Sequence, residues 1–108
     1  MVHQDSNLKV AVICNCYNGS PYIRAAIESV LSQTYKNFEF LLIDNCSTDA
    51  TKNIFESYQD KRLKYYKTKS HIKLGDARNY ALQFVNADYI AFIDADDIWI
   101  EDKLSKQI

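Results

Sequence analysis

Glycine is scarce in this chain, with only Gly19 and Gly75 among 108 residues. A loop that cradles phosphate needs several glycines, so that backbone N–H groups can close on the anion. No such loop follows the first apolar run, which argues against a nucleotidyltransferase. Cysteine is odd in number, and Cys14, Cys16 and Cys46 form no regular framework. That argues against a disulfide scaffold. Cys14-Asn15-Cys16 also lacks the two-residue spacing of redox and zinc pairs, and only His3 and His71 could join it. The cysteines read as small packing residues. An excess of either charge is missing too: 13 basic and 14 acidic side chains give a net charge of −1. Nothing here makes a footprint for nucleic acid or acidic lipid. No apolar run nears the roughly 20 residues that span a membrane. Residues 1–7 are polar, without the apolar region of a signal peptide. They read as a flexible tail on a cytoplasmic chain with no transmembrane segment, and the inner face of the membrane stays open as its place of work.

What is present is an ordinary globular composition, 47% hydrophobic and 25% charged, over the length of one domain. Strand and helix patterns alternate from residue 8 to residue 108. Leu8 to Cys14 reads as a first strand, followed by a polar turn through Gly19. Ser20 is placed to cap a helix with Pro21 at its first position. Ile23, Ala26, Ile27, Val30 and Leu31 then recur at helical spacing, to an end near Gln33. Phe38 to Ile43 is a second strand. Ser47 or Thr48 can cap the next helix, with Asp49 at its positive end, and Ile54, Phe55 and Tyr58 form its packing face. Arg62 to Lys67 is more polar and reads as an edge strand. Gly75 precedes a helix that buries Ala77, Tyr80, Ala81, Phe84 and Val85. Tyr89 to Ile93 reads as a fourth strand buried on both faces, and Trp99 to Ile108 as a short helix. Helical crossovers between strands imply a parallel sheet. If the chain reverses after the third strand, the order is 3-2-1-4, with a crevice between strands one and four. The fold class is α/β, a Rossmann-like three-layer sandwich.

The most informative stretch follows the fourth strand, where Asp94, Asp96 and Asp97 fall within four residues. Two unit charges about 4 Å apart cost roughly 1 kcal/mol in water and roughly 4 kcal/mol at a partly buried site. A hard divalent cation relieves that repulsion and brings phosphate oxygens with it. The plainer alternative is a solvated acidic turn that caps the helix near Trp99. Asn15, Tyr17 and Asn18 after strand one, and Asp44, Asn45 and Ser47 after strand two, would converge on the same rim.

Five segments in order resemble the N-terminal half of a family 2 glycosyltransferase. They are Tyr17-Asn18, the helix end Ser29 to Tyr35, Asp44 to Asp49, Gly75-Asp76-Ala77-Arg78-Asn79 and Asp94-Ala95-Asp96-Asp97. The resemblance implies the nucleotide-binding part of a GT-A fold, cut short after its fourth strand. It implies a nucleoside-diphosphate sugar as donor, most often a UDP-sugar, with Mn or Mg. By position, Asn15, Tyr17 and Asn18 would edge the base and ribose, and Asp44 and Asn45 would reach the uracil. Asp96 would face the ribose or sugar side and share the metal, Asp97 would hold the metal against the diphosphate, and Asp94 would orient the turn. Arg78 would approach the diphosphate, or else pair with an acid such as Asp44. His71 reads as a loop residue without chemistry. The sequence departs from the family where Asn15 stands for a common Pro, Asn45 for a second acid and Cys46 for a Gly.

The implied chemistry is inverting displacement at the anomeric carbon, with a general base many tens of residues beyond the acidic motif. Glu101 and Asp102 lie too close to it for that role. The chain thus reads as a donor-binding half, inactive alone, whose unpaired fourth strand and apolar Ile98, Trp99 and Ile100 favour self-association. The competing class is a non-catalytic nucleotide-binding or receiver-like α/β module, which would want an acidic pair after strand one.

Overall fold

The computed structural model describes residues 8–108, so the tail expected over residues 1–7 lies outside the described residues. The elements are β1 (Val10–Cys16), α1 (Ile23–Leu31), β2 (Phe38–Asp44), α2 (Thr51–Glu56), β3 (Leu63–Lys67), α3 (Leu74–Leu82), β4 (Tyr89–Asp94) and α4 (Lys103–Gln107). Every pairing is parallel and the strand order is β3-β2-β1-β4. The expected α/β architecture is therefore the observed one.

Side-chain alternation along β1 divides the interior in two. Val10, Val12, Cys14 and Cys16 join Ile23, Ile27, Val30, Phe40, Leu42, Phe55, Trp99 and Leu104 under α1, α2 and α4. Ala11 and Ile13 join Leu41, Ile43, Ala77 and Ala81 under α3. Because both faces of β1 and β2 are covered, their sequences are near-continuously apolar. Burying a side chain such as Phe40 or Ile27 is worth about 1.5–3 kcal/mol, and both are fully buried.

β4 departs from its expected burial on both faces. Only Ile93 is buried, whereas Tyr89, Ile90 and Phe92 are 51%, 42% and 44% exposed. The register explains this. Ile90 and Phe92 lie beside Ala11 and Ile13 on the α3 face, but α3 rests on β1 and β2. An apolar run signals a strand without saying whether a helix covers each face.

Helix starts also differ from expectation. α1 begins at Ile23 with no side-chain cap. The Gly19 carbonyl accepts from the N–H groups of Tyr22 and Ile23 at 2.9 and 2.8 Å, so Ser20 and Pro21 belong to the turn before it. Ser47 and Thr48 do not cap α2. Asp49 does the equivalent work, accepting from the Thr51 N–H at 3.0 Å and from the Thr51 hydroxyl. Gly75 lies within α3 rather than before it, and Phe84 and Val85 follow its end yet still pack on the α3-side core. The terminal helix is shorter than expected, starting at Lys103.

Gly19 sits where the loops after β1 and β4 touch. A Cβ there would lie 2.5 Å from the Cys16 sulfur and 3.3 Å from the Ala95 Cβ. Cys16 is 2% exposed and has little room to yield. Gly19→Ala should therefore cost about 1–3 kcal/mol by overpacking, read as a lower urea midpoint; an unchanged midpoint would mean that the two loops do not pack.

Asp49 sets an acid limit. Slight desolvation acts to raise its pKa, but the Thr51 hydroxyl, the Ser20 N–H and the Thr51 N–H outweigh it and hold the carboxyl at about 2, below an ordinary 3.8. Arg62 likewise holds Asp60 at about 2. A depressed folded pKa stabilises fully above the unfolded value, and that contribution fades as pH falls through the folded value. Urea midpoints should thus drop between about pH 4 and pH 2, and drop less in Asp49→Asn; equal slopes would remove Asp49 from the account.

Candidate functional site

The parallel register brings strand ends level. Cys16 lies opposite Asp44, and Asn15 opposite Asp94. The loops after β1, β2 and β4 therefore leave the sheet at one rim, as expected for an open α/β sheet. Side chains then bind them together. The Asn18 N–H donates to the Ser47 hydroxyl at 2.8 Å, and the Asn18 side-chain oxygen accepts from the Thr48 N–H at 2.7 Å. The Gly19 N–H donates to the Thr51 hydroxyl at 3.0 Å.

A cleft of about 300 Å³ opens at this rim, lined by Asn15, Cys16, Tyr17, Asn45, His71, Ile72, Lys73 and Leu74. Tyr17 is 53% exposed and meets the His71 ring edge-on, with centroids 4.4 Å apart. His71 Nδ1 lies 3.2 Å from the Asn45 carbonyl oxygen. A carbonyl only accepts, so Nδ1 carries the proton. Asn15 Oδ1 is buried with no hydrogen-bond partner among the described residues. An unmet buried acceptor costs about 1–3 kcal/mol, which a donor on a ligand would relieve. His71, expected to be inert, is thus a wall of the cleft. Its isolation in a polar loop gave no periodic signal.

Asn45 and Asp44 are more deeply engaged than their motif implied. Asn45 is 8% exposed. Its amide oxygen accepts from the Ile72 N–H at 2.9 Å, and its nitrogen donates to the Ile72 carbonyl at 2.7 Å. It thereby fastens the loop before α3 to the end of β2. Asp44 is 2% exposed and accepts from the Tyr65 hydroxyl and from the Ser47 N–H, the latter at 2.8 Å. It forms no ion pair with Arg78. The Arg78 guanidinium instead lies 4.8 Å from the centre of the Phe92 ring, with its Nε–H buried and unpartnered among the described residues. Arg78 does not line the cleft.

None of the acids lines the cleft: Asp94 is level with Asn15 at its wall, the acidic turn follows, and Asp97 lines a separate groove with Ile98, Trp99, Ile100 and Lys103. The Asp97 N–H donates to the Asp94 carbonyl at 2.9 Å, and all three acidic residues are exposed. Among the described residues the salt bridges are Lys9–Glu39, Arg62–Asp60 and Lys106–Asp102, so no cation offsets the turn by direct pairing. Their field reaches inward. Burial pushes the Cys14 thiol well up, with Cys16, Asp94, Asp96 and Asp97 adding to it, and burial also brings Cys16 to about 11. Both are neutral packing thiols. Among the described residues no three His, Cys, Asp or Glu side chains gather as a metal cage. Asp96 and Asp97 nevertheless fit Mg or Mn, which take one or two carboxylates and complete their shell with phosphate oxygens and water.

The family model for Glycosyl transferase family 2 matches residues 11–108. The chain is 42% identical over 99 residues to the Escherichia coli UDP-Glc:alpha-D-GlcNAc-diphosphoundecaprenol beta-1,3-glucosyltransferase WfaP, covering 92% of this chain and 39% of the relative. It superposes on S. aureus TarS 1–349 in complex with UDP-GlcNAc with a TM-score of 0.87 and 32% identity, over 93% of this chain and 30% of that one. The mannosyltransferase PcManGT from Pyrobaculum calidifontis, in complex with GDP-Man and Mn2+, gives 0.77 and 26% over 91% of this chain and 31% of its own. The chain thus spans about two fifths of the curated relative's length. These matches decide against the receiver-like alternative, whose acidic pair the end of β1 also lacks. Matched along nearly its whole length and folded as solved GT-A members are, the chain belongs to glycosyl transferase family 2.

Proposed function

We propose that this chain is the donor-binding portion of an inverting, metal-dependent glycosyltransferase that takes a UDP-sugar and glycosylates a glycan or lipid-linked acceptor. The observation that carries the reading is that a polar cleft, holding an unmet acceptor on Asn15, and an acidic turn without a paired cation leave neighbouring strand ends, Asn15 being level with Asp94. Tyr17 offers its exposed ring to the base, and Asn15 Oδ1 suits the imide N–H that uracil presents and cytosine lacks. Asn45 and Asp44 reach the base from behind this layer, through the loop they hold. Asn18 keeps the ribose side of the rim closed. Asp97 and Asp96 are the metal ligands, and Arg78, held over the Phe92 ring outside the cleft, reaches the diphosphate only by leaving that ring. A bound cation supplies positive charge against the departing diphosphate. The UDP-Glc in the relative's name and the UDP-GlcNAc in the TarS complex support a uridine donor, and the Mn2+ of PcManGT supports the metal.

The general base belongs, on this reading, to the part of the relatives that this chain does not cover. Asp102 is already paired with Lys106 at 3.2 Å. The lipid-linked acceptor in the relative's name supports work at the inner face of the membrane. No helix among the described residues is long and apolar enough to cross one.

Calorimetry with UDP should show binding strengthened at least about tenfold by Mn2+, and Asp97→Ala should abolish that gain while leaving uridine binding intact. No UDP binding at millimolar concentration would overturn the donor site. Sugar transfer by the 108-residue chain should be undetectable, and robust turnover would overturn the placement of the base.

Tyr89, Ile90, Phe92, Ile98 and Ile100 are exposed apolar side chains on and after β4, the strand at one end of the sheet order. Sedimentation should reveal concentration-dependent self-association that Phe92→Lys weakens; a monomer at every concentration would remove this expectation.

A further inference from the structure

The helix-end segment Ser29 to Tyr35 carries family resemblance, yet none of its residues lines the cleft. Gln33 lies within it and is fully buried. Its amide nitrogen donates to the Ile100 carbonyl at 2.7 Å and to the Ser29 carbonyl at 3.2 Å, and its oxygen accepts from the Leu104 N–H at 3.0 Å. The Thr34 N–H adds a bond to the Glu101 carbonyl at 2.8 Å. The end of α1 therefore grips the segment that immediately follows the acids, 67 and 71 residues away along the chain.

Two apolar anchors frame the same turn. Ile93 before it is 2% exposed and Trp99 after it is 8% exposed, both in the core cluster beneath α1. Residues 94–98 span the gap between them. Like charges on Asp94, Asp96 and Asp97 push that span open. Trp99 fixes where the chain re-enters the core, and Gln33 fixes the backbone just after it. A glutamine suits this place because one amide can donate to a carbonyl and accept from an N–H. A carboxylate of the same length cannot donate, and methionine does neither.

We propose that Gln33 is a positioning residue for the acidic turn, holding Asp96 and Asp97 in the geometry that takes a divalent cation with a diphosphate. The metal clause rests on the donor-site reading above; the clamp itself does not.

The test is Gln33→Met, which keeps length and removes all three bonds. Amide hydrogen exchange should show the Asp97 and Leu104 N–H groups losing at least about tenfold in protection, with Val12 and Leu42 in the central strands unchanged. The Mn2+-dependent gain in UDP affinity should fall at least about tenfold, with uridine affinity held within about twofold. Unchanged protection at Asp97, or equal loss in the central strands, overturns the proposal. So does a parallel fall in uridine and UDP affinity, which a general loosening would give. If the unmutated chain shows no Mn2+-dependent UDP binding, the donor reading fails and the exchange data still decide the clamp. If Gln33→Met does not fold, exchange in the unmutated chain decides it: a Leu104 amide as slow as Val12 supports the clamp, and one as fast as an exposed turn refutes it.

Discussion

The rim rests on the level termination of β1 between its two parallel neighbours. Cys16 ends against Asp44 and Asn15 against Asp94, so loops from three distant parts of the chain begin side by side. What fixes that register is not the usual polar-out alternation, because both faces of β1 are covered. Size does the work instead. Val12 faces the larger core beneath α1, and Ala11 and Ile13 face the smaller one beneath α3. A one-residue slip would exchange these sets and leave voids on one side and clashes on the other.

Once the ends are level, short polar side chains close the rim where glycines are scarce. Asn18 adopts a φ of 52° and Cys46 a φ of 60°. Asparagine visits that left-handed region more readily than most residues, and the Asn18 side chain there accepts from the Thr48 N–H, 30 residues along the chain. Cys46 stands where the family resemblance implies glycine and carries a penalty of about 1–2 kcal/mol. Its thiol, 3.3 Å from the Thr68 carbonyl, offsets part of that. Asn18, Asn45, Asp49 and Gln33 share one device. Each joins two stretches remote in sequence by satisfying backbone groups that would otherwise be orphaned at a loop.

This device explains which parts of the molecule were legible in the sequence. Strand order, the edge position of β3 and the gathering of Asn15, Tyr17 and Asn45 follow from apolar runs and turn residues, which are local signals. Burial of β4 was not legible, because it depends on where α3 comes to rest. The cap expected at Ser20 fits the local preference, but the helix is entered from the Gly19 carbonyl, which takes the N–H groups of Tyr22 and Ile23. Asp49 across the rim holds Ser20 in the preceding turn through its N–H at 3.0 Å. His71 and Gln33 were invisible for a related reason. One is a polar residue in a loop and the other a polar residue at a helix end, and only contacts made far along the chain distinguish them from solvated neighbours.

The two parts of the proposed donor site differ in how much is prepared in advance. The cleft is held by bonds already made, from Asn45 to Ile72 and from Asp44 to Tyr65 and Ser47. A base entering it would find fixed walls and one acceptor in want of a donor, so little order need be lost on binding. The acidic turn is prepared in position but not in charge. Its carboxylates face solvent without a paired cation among the described residues, and two of them are too few to complete a divalent shell. On the proposed reading, a cation and a diphosphate would complete one another there, each supplying what the other lacks. Nucleotide and metal binding would then be mutually reinforcing, and by linkage the gain would be the same whichever is added first. A site built this way would draw its choice of base from the rigid cleft and its attraction for diphosphate from the acidic turn, two contributions made by loops that leave neighbouring strand ends.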